Sequence, residues 1–276
     1  MIEARDGLFL LSTDHTSLLM RVTPHGHIEL IHYGARVSAF DADALAVKRD
    51  IAPGCAVNYS ADDPNYSLNT VPLAWSGTAR GDHRESPLEW HTAFGEASDF
   101  RYAGHEVVEG TVPADPFPQA KGGDETLLLT LEDRTVGAEL TLCFTVFADT
   151  DVITRRTALK NTGAADITLH KLMSTSLDLF GTYELTSFHG AWIAEAHREK
   201  TAVGAARCVN ESATGFSSNR HNPGFLLSEP EAGQTHGRVY GFNLIWSGNH
   251  YASAQRSHEG LTRVMQGFSP TDFSKA

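Results

Sequence analysis

A formal net charge of −12 over 276 residues, with no clustered Lys or Arg, excludes nucleic acid and anionic membranes as partners, because both select phosphate-neutralising cations. A hydrophobic fraction of 41% beside 20% charged residues excludes a disordered chain and suits one large all-β domain or two smaller ones. The opening MIEARDGLFLLSTDHTSLL lacks a basic segment followed by an apolar core, so it does not read as a signal peptide. No apolar run approaches the ~20 residues that span a bilayer.

In chain order, Thr23-Pro24-His25-Gly26 is the first strong turn signal. Residues 52–87 are rich in Pro, Gly, Ser, Asn and Asp and too long for an ordinary connection. Tyr59, Tyr66, Trp75 and Arg84 within that stretch argue for an ordered, working loop rather than a disordered linker. Lys121-Gly122-Gly123-Asp124 marks another turn, after which Leu127, Leu129 and Leu131 alternate with polar residues. In Glu139 to Phe147, Leu140, Leu142, Phe144 and Val146 share one face of a strand, and Thr141, Cys143 and Thr145 share the other. Asn161-Thr162-Gly163 closes that region with a turn. Ala191 to Thr201 is the nearest thing to a helix, but it is polar on most sides and reads equally as a loop with a short turn. Roughly fifteen or more segments carry strand signals, and no amphipathic helix exceeds two turns. Strands without intervening helices stack as antiparallel sheets, so the expectation is a large β-sandwich over residues 1–276, undivided by any linker and with little helix.

Cys55, Cys143 and Cys208 are odd in number and far apart, with Cys143 inside an apolar strand where a buried free thiol is expected. With no leader sequence, this favours a reducing cytoplasm. His25, His27 and His32 have no Cys or carboxylate at ligand spacing and read as turn and strand residues, so neither metal nor cofactor is expected. Asn58, Asn65 and Asn210 open glycosylation sequons that matter only after secretion. No phosphate-binding glycine loop or nucleophile elbow is present.

Asp62, Asp63 and Asp82 are the only paired-carboxylate candidates in a plausible cleft, against the alternative that they cap turn amides. The loop's composition suits sugar: Trp75 could stack on a pyranose face while Asp82 and Arg84 take up hydroxyls. Alternatively, Trp75 packs the loop onto the sandwich and Arg84 pairs with Asp82. The residues alone leave the two readings level.

Several short segments, in order, carry a resemblance. They are Glu29-Leu-Ile-His-Tyr-Gly-Ala-Arg36, Tyr66-Ser-Leu-Asn-Thr70, Gly81-Asp-His-Arg-Glu-Ser-Pro87, Asp99-Phe-Arg-Tyr102, Asp151-Val-Ile-Thr-Arg155, Asn161-Thr-Gly163, Ser217 to Phe225, Gly237 to Asn249 and Phe268 to Phe273. Together they resemble the N-terminal domain of the microbial α-galactosidases of glycoside hydrolase family 36, over nearly the whole chain. The resemblance implies a galactose-mutarotase-like β-supersandwich ahead of a catalytic (β/α)₈ barrel in an enzyme that removes terminal α-galactose with retention. Both catalytic carboxylates of the family lie in the barrel, so no catalytic residue is expected here and the chain alone is expected to be inactive. The resemblance further implies homo-oligomers in which this domain lends loop residues to a neighbouring subunit's pocket, with α-galactosides and the barrel as partners. The matching substrate-binding region is Asp62, Asp63, Trp75, Asp82 and Arg84.

Two departures stand out. Pro64 follows Asp63 where an Arg is common, and Ala74-Trp75-Ser76 replaces a Glu-Tyr-Pro, which leaves contacts beyond galactose open. After Asp272-Phe273 the chain reaches Ser274-Lys-Ala276 where the family continues with further strands, so the expected sandwich lacks its last strands. Two readings of other classes stand beside the first: a free-standing carbohydrate-binding or assembly sandwich without catalysis, and a self-sufficient sugar epimerase-like enzyme on a concave sheet, for which the sequence offers no convincing base.

Overall fold

Short polar turns fold the chain back on itself, and antiparallel ladders follow. The computed structural model describes residues 1–37, 42–47, 57–218 and 220–273. Cys55, the first five residues of the 52–87 loop, Asn219 and the final Ser274-Lys-Ala276 lie outside the described residues. Among the described residues the chain is all-β, with about 5% helix, and it folds as two compact units, Met1–Leu169 and His170–Ala276.

The first unit holds two meanders. β1 (Ile2–Arg5), β2 (Leu8–Ser12), β3 (Thr16–Val22) and β4 (Ile28–Ala35) form one sheet in sequence order. A single helical turn, α1 (Ala42–Leu45), and a 3-10 turn at Leu68–Thr70 come before β5 (Leu88–His91). β6 (Arg101–Glu109), β7 (Glu125–Asp133), β8 (Ala138–Phe147) and β9 (Val152–Asn161) form the other sheet, again in sequence order.

The alternation read from the sequence sets the register of the β7–β8 pair. Leu127, Leu129 and Leu131 lie opposite Phe144, Leu142 and Leu140, and all six are at most 2% exposed. Burying each such side chain contributes about 1.5–3 kcal/mol. A slip of one residue would turn this row to the opposite face, so the core itself fixes the register. Cys143 is a buried free thiol, as expected. At one end of this sheet Gly137 (φ +78°) meets the turn after β9. A Cβ on Gly137 would lie 2.8 Å from Gly163 Cα, and one on Gly163 would lie 2.8 Å from Val136 O. Thr162 N donates to Gly137 O at 2.8 Å, closing the contact.

In the second unit β10 (Thr168–Phe180), β11 (Glu184–Ala191), β12 (Ala194–Ala202), β13 (Cys208–Ser212), β14 (His221–Ser228), β15 (Val239–Phe242), β16 (His250–Arg256) and β17 (Leu261–Phe268) contribute two sheets, followed by the turn of helix α2 (Pro270–Phe273). Their orders are β13-β16-β17-β10 and β12-β11-β14-β15, with antiparallel pairing. Arg263 on β17 and Asp178 on β10 form a bidentate pair at 2.8 and 2.9 Å with both side chains buried, which satisfies two charges that would be costly alone.

Ala191 to Thr201, read as a short helix or a loop, is instead the tip and outer strand of the β11–β12 hairpin. The reason is that all nine residues of β12 are exposed, so no apolar face was needed and no period-two signal was written.

Asp151 sits at φ +55° after the 3-10 turn Ala148–Thr150 and ties the β8–β9 turn to the β2–β3 turn. Its carboxylate accepts from Thr13 Oγ1 at 2.6 Å, His15 N at 2.9 Å and His15 Nδ1 at 2.7 Å. The hydrogen bond from Thr13, then those from His15, lower its pKa from 3.8 to about 2. A depressed carboxylate stabilises the fold fully above its unfolded value and loses that contribution as pH falls through the folded value. The melting temperature should therefore drop as pH falls from 3.8 towards 2, and Asp151→Asn should flatten this part of the profile, as followed by circular dichroism. An unchanged acid limb in Asp151→Asn would contradict the assignment.

Candidate functional site

Residues 57–87, the described part of the stretch leading into β5, are the candidate site, and two buried polar systems order them. One closes the C-terminal half. Arg84 Nε donates to Asp82 Oδ1 at 2.7 Å, with the Arg and Asp side chains 4% and 1% exposed. Arg84 Nη1 donates to Val71 O at 3.0 Å, and Nη2 donates to Leu68 O and to Asp82 Oδ2. Ser76 Oγ donates to the same Oδ2 at 2.5 Å, and His83 N donates to Asn69 Oδ1 at 3.3 Å. Residues spread from Leu68 to Arg84 thus converge on one ion pair.

The other system holds the tip. Tyr59 N bonds Tyr66 O at 2.9 Å, and Asp63 caps the intervening turn by accepting from Asn65 N. Tyr59 OH donates to Asp99 Oδ2 at 2.7 Å. His27 is used at both nitrogens, Nε2 to Asp99 Oδ1 at 3.0 Å and Nδ1 to Tyr66 OH at 3.0 Å. One assignment satisfies the chain of bonds: Nε2–H donates to the carboxylate, Tyr66 O–H donates to Nδ1, and Thr23 O–H donates to Tyr66 Oη at 2.9 Å. Burial raises the Asp99 pKa, but the hydrogen bonds from His27 and Tyr59 outweigh it and leave the carboxyl below its usual range. Burial, then the bond to Asp99, pushes the Tyr59 hydroxyl up to about 12. His25 Nε2 meets Asp63 Oδ2 at 2.9 Å, and its ring packs 4.5 Å from Tyr66 and 5.2 Å from Tyr59.

Beside the tip lies an open crevice of about 260 Å³, lined by Pro24, His25, Gly26, Arg101, Tyr102, Glu132 and Arg134. Arg134 is held by Glu132 at 3.1 Å, and Arg101 Nε stands 3.9 Å from Asp99. Among the described residues no group of three or more His, Cys, Asp or Glu is placed to hold a metal ion.

The five substrate-binding candidates separate into two places. Asp62 is exposed and Asp63 half-buried at the tip, whereas Trp75 (3%), Asp82 (8%) and Arg84 (9%) are interior. In this chain Trp75 offers no open ring face, and Arg84 pairs with Asp82, the packing alternative weighed from the sequence. His25 and His27, read as plain turn and strand residues, anchor the tip. Their signal was the His-Gly-His doublet at a turn, but their partners Asp63 and Asp99 are 38 and 72 residues away.

The pattern described as the glycosyl hydrolase family 36 N-terminal domain matches residues 26–276. The bifunctional alpha-galactosidase/sucrose kinase AgaSK of Mediterraneibacter gnavus is 30% identical over 274 residues, which are 97% of this chain and 29% of that protein. The crystal structure of the alpha-galactosidase AgaB from Geobacillus stearothermophilus superposes with a TM-score of 0.92 at 26% identity, over 99% of this chain and 38% of that one. A variant of AgaA from the same organism, in complex with raffinose, gives a TM-score of 0.89 at 27% identity, over 96% of this chain and 38% of that one. The chain thus spans well under half the length of these relatives.

Trp75→Ala should destabilise the fold by about 3–5 kcal/mol, the usual cost of emptying a buried tryptophan site. Arg84→Ala, which strands the buried Asp82 carboxylate, should cost a similar ~3–5 kcal/mol. Urea unfolding measures both, and values near zero would mean that these side chains do not hold the loop.

Proposed function

The chain belongs to glycosyl hydrolase family 36, whose N-terminal domain it matches, and from that premise we propose that it serves as the non-catalytic domain of a retaining α-galactosidase. The single observation that carries this reading is the match of a whole antiparallel all-β chain to the N-terminal part of family 36 enzymes, with the 57–87 segment built as an ordered loop. The antiparallel all-β chain is in keeping with a β-supersandwich of galactose-mutarotase type, the form we propose for it. General acid and nucleophile must flank one glycosidic bond, and the family resemblance implies that both belong to a catalytic barrel and not to this domain. The intact enzyme acts on α-galactosides of the melibiose and raffinose type, with AgaA's raffinose complex as the supporting relative. Free Cys143 and Cys208 support a cytoplasmic setting.

The loop's role follows from its division of labour. Trp75, Asp82 and Arg84 brace it from inside, and Asp62 with Asp63 forms the edge that reaches a neighbouring subunit's sugar pocket in a homo-oligomer. A carboxylate at an exposed tip is within reach of sugar hydroxyls and accepts hydrogen bonds from them in exchange for its bound water.

The test is a chimera in which residues 1–276 replace the corresponding segment of AgaB, assayed on an aryl α-galactoside. The chimera should hydrolyse it and the isolated chain should not. Asp62→Ala in the chimera should raise KM by roughly threefold to tenfold with kcat little changed, the weight of one hydrogen bond. Turnover by the isolated chain would overturn the non-catalytic assignment, and an unchanged KM would remove Asp62 from the pocket.

A further inference from the structure

One sheet of the second unit carries a row of histidines. In the register of β12, β11 and β14, His197 stands opposite His189, and His189 stands opposite His221. The β11–β12 ladder is regular here, running from Ser187 opposite Glu199, through Phe188 opposite Arg198, to His189 opposite His197. Opposed residues share a face, and so do residues two apart on a strand. His189, His197 and Glu199 therefore stand together on one side of the sheet. Arg198 and Lys200 fall on the other side, where Lys200 is paired with Glu184 at 3.0 Å.

Packing does not account for this trio. All nine residues of β12 are exposed, so its histidine fills no core. His189 Nε2 and Glu199 Oε2 are 3.6 Å apart, too far for a hydrogen bond. The separation does suit a shared ion. Donors bound at about 2.0–2.1 Å around a tetrahedral zinc ion lie about 3.3–3.4 Å from one another. Two donors thus already stand about one tetrahedral edge apart. Their side chains are 39% and 64% exposed, so an ion reaches them directly from solvent.

His197 is the third donor. As placed, no three groups close on one point among the described residues. His197 is exposed, and no hydrogen bond, ion pair or ring contact holds its ring there. Opposition sets its Cβ about 4.5–5.5 Å from that of His189, and the strand sets it about 7 Å from that of Glu199. A rotation of its side chain brings an imidazole nitrogen over the gap between them. His221 is engaged inward instead, where its charge opposes protonation of the buried His250.

We propose that His189, His197 and Glu199 bind a divalent transition-metal ion, zinc foremost, with water at the fourth corner. Two imidazoles and one carboxylate form a donor set that zinc takes with an open position. Magnesium and calcium select oxygen donors and do not suit it. The ion joins β12, an edge strand whose neighbour in the sheet is β11, to that neighbour through side chains. Bound zinc therefore stabilises the β11–β12 hairpin against local opening, because it binds the closed form only.

Isothermal titration of zinc chloride into the untagged 276-residue chain, stripped beforehand with a chelator, tests the site. The expected result is one bound equivalent, which His197→Ala and Glu199→Gln each weaken by about tenfold or more. His258→Ala, which removes a surface imidazole 2.9 Å from Glu259, should leave it unchanged. Zinc should also slow hydrogen exchange in β11 and β12 of the parent chain and not in His197→Ala. These exposed substitutions leave the core intact, and circular dichroism checks that each variant is folded. No binding, equal binding by the parent chain and His197→Ala, or several weak equivalents that ignore the variants would overturn the proposal. The AgaB chimera succeeds or fails independently of this result.

Discussion

The guanidinium of Arg84 is the point on which the candidate-site segment hangs. Residues 57–87 contain little regular structure, so their backbone carbonyls have few ladder partners, and a buried carbonyl without a partner is costly. Arg84 meets that need at two places, bonding Leu68 O and Val71 O, while it also pairs with the Asp82 carboxylate. Its planar fork can do this where an ammonium could not. With the carbonyls satisfied, Trp75 and its neighbours from Pro72 to Ser76 can be buried, and the polar tip is left to face outward. Order in a loop of this kind comes from a few charges placed inside, not from propensity.

The tip adds a complementary device. Asp99 gathers His27 and Tyr59, Asp63 gathers His25, and Asp133 accepts from Asp99 N at 2.8 Å, so carboxylates tie the loop to the strands on either side. Arg155 on β9 reaches the loop from another direction, donating to Ala74 O while its guanidinium lies 4.9 Å over the Phe144 ring. The loop is therefore an extension of the meander beneath it, and a ligand meeting Asp62 would meet a surface already held in place.

The parts legible in the sequence were those whose partners are local or periodic. Leu127, Leu129 and Leu131 declared their face because β7 is buried on one side, and Asn161-Thr162-Gly163 declared its turn by chemistry. Two kinds of information were not written locally. Whether Trp75 stacks on a ligand or fills a core depends on what surrounds it, which neighbours in sequence do not reveal. β12 was missed because AEAHREKTA is solvated on both faces, so the alternation that betrays a strand never arose. The His-Gly-His pair was visible as residues but not as anchors, since both carboxylate partners lie on other elements. The family resemblance pointed to the segment as a candidate, but short motifs could not say which side chains in it face outward.

The contact between Gly137 and Gly163 decides where this domain can change in length. The β7–β8 turn and the turn leaving β9 touch backbone to backbone, so an insertion in either would have to push the other aside. At the far end of the same sheet, residues 113–121 run largely in solvent between β6 and β7. Loop closure there grows costlier only slowly with length. A label, an affinity tag or a grafted binding loop belongs at that end, where the sheet can carry new cargo without its strands being asked to shift.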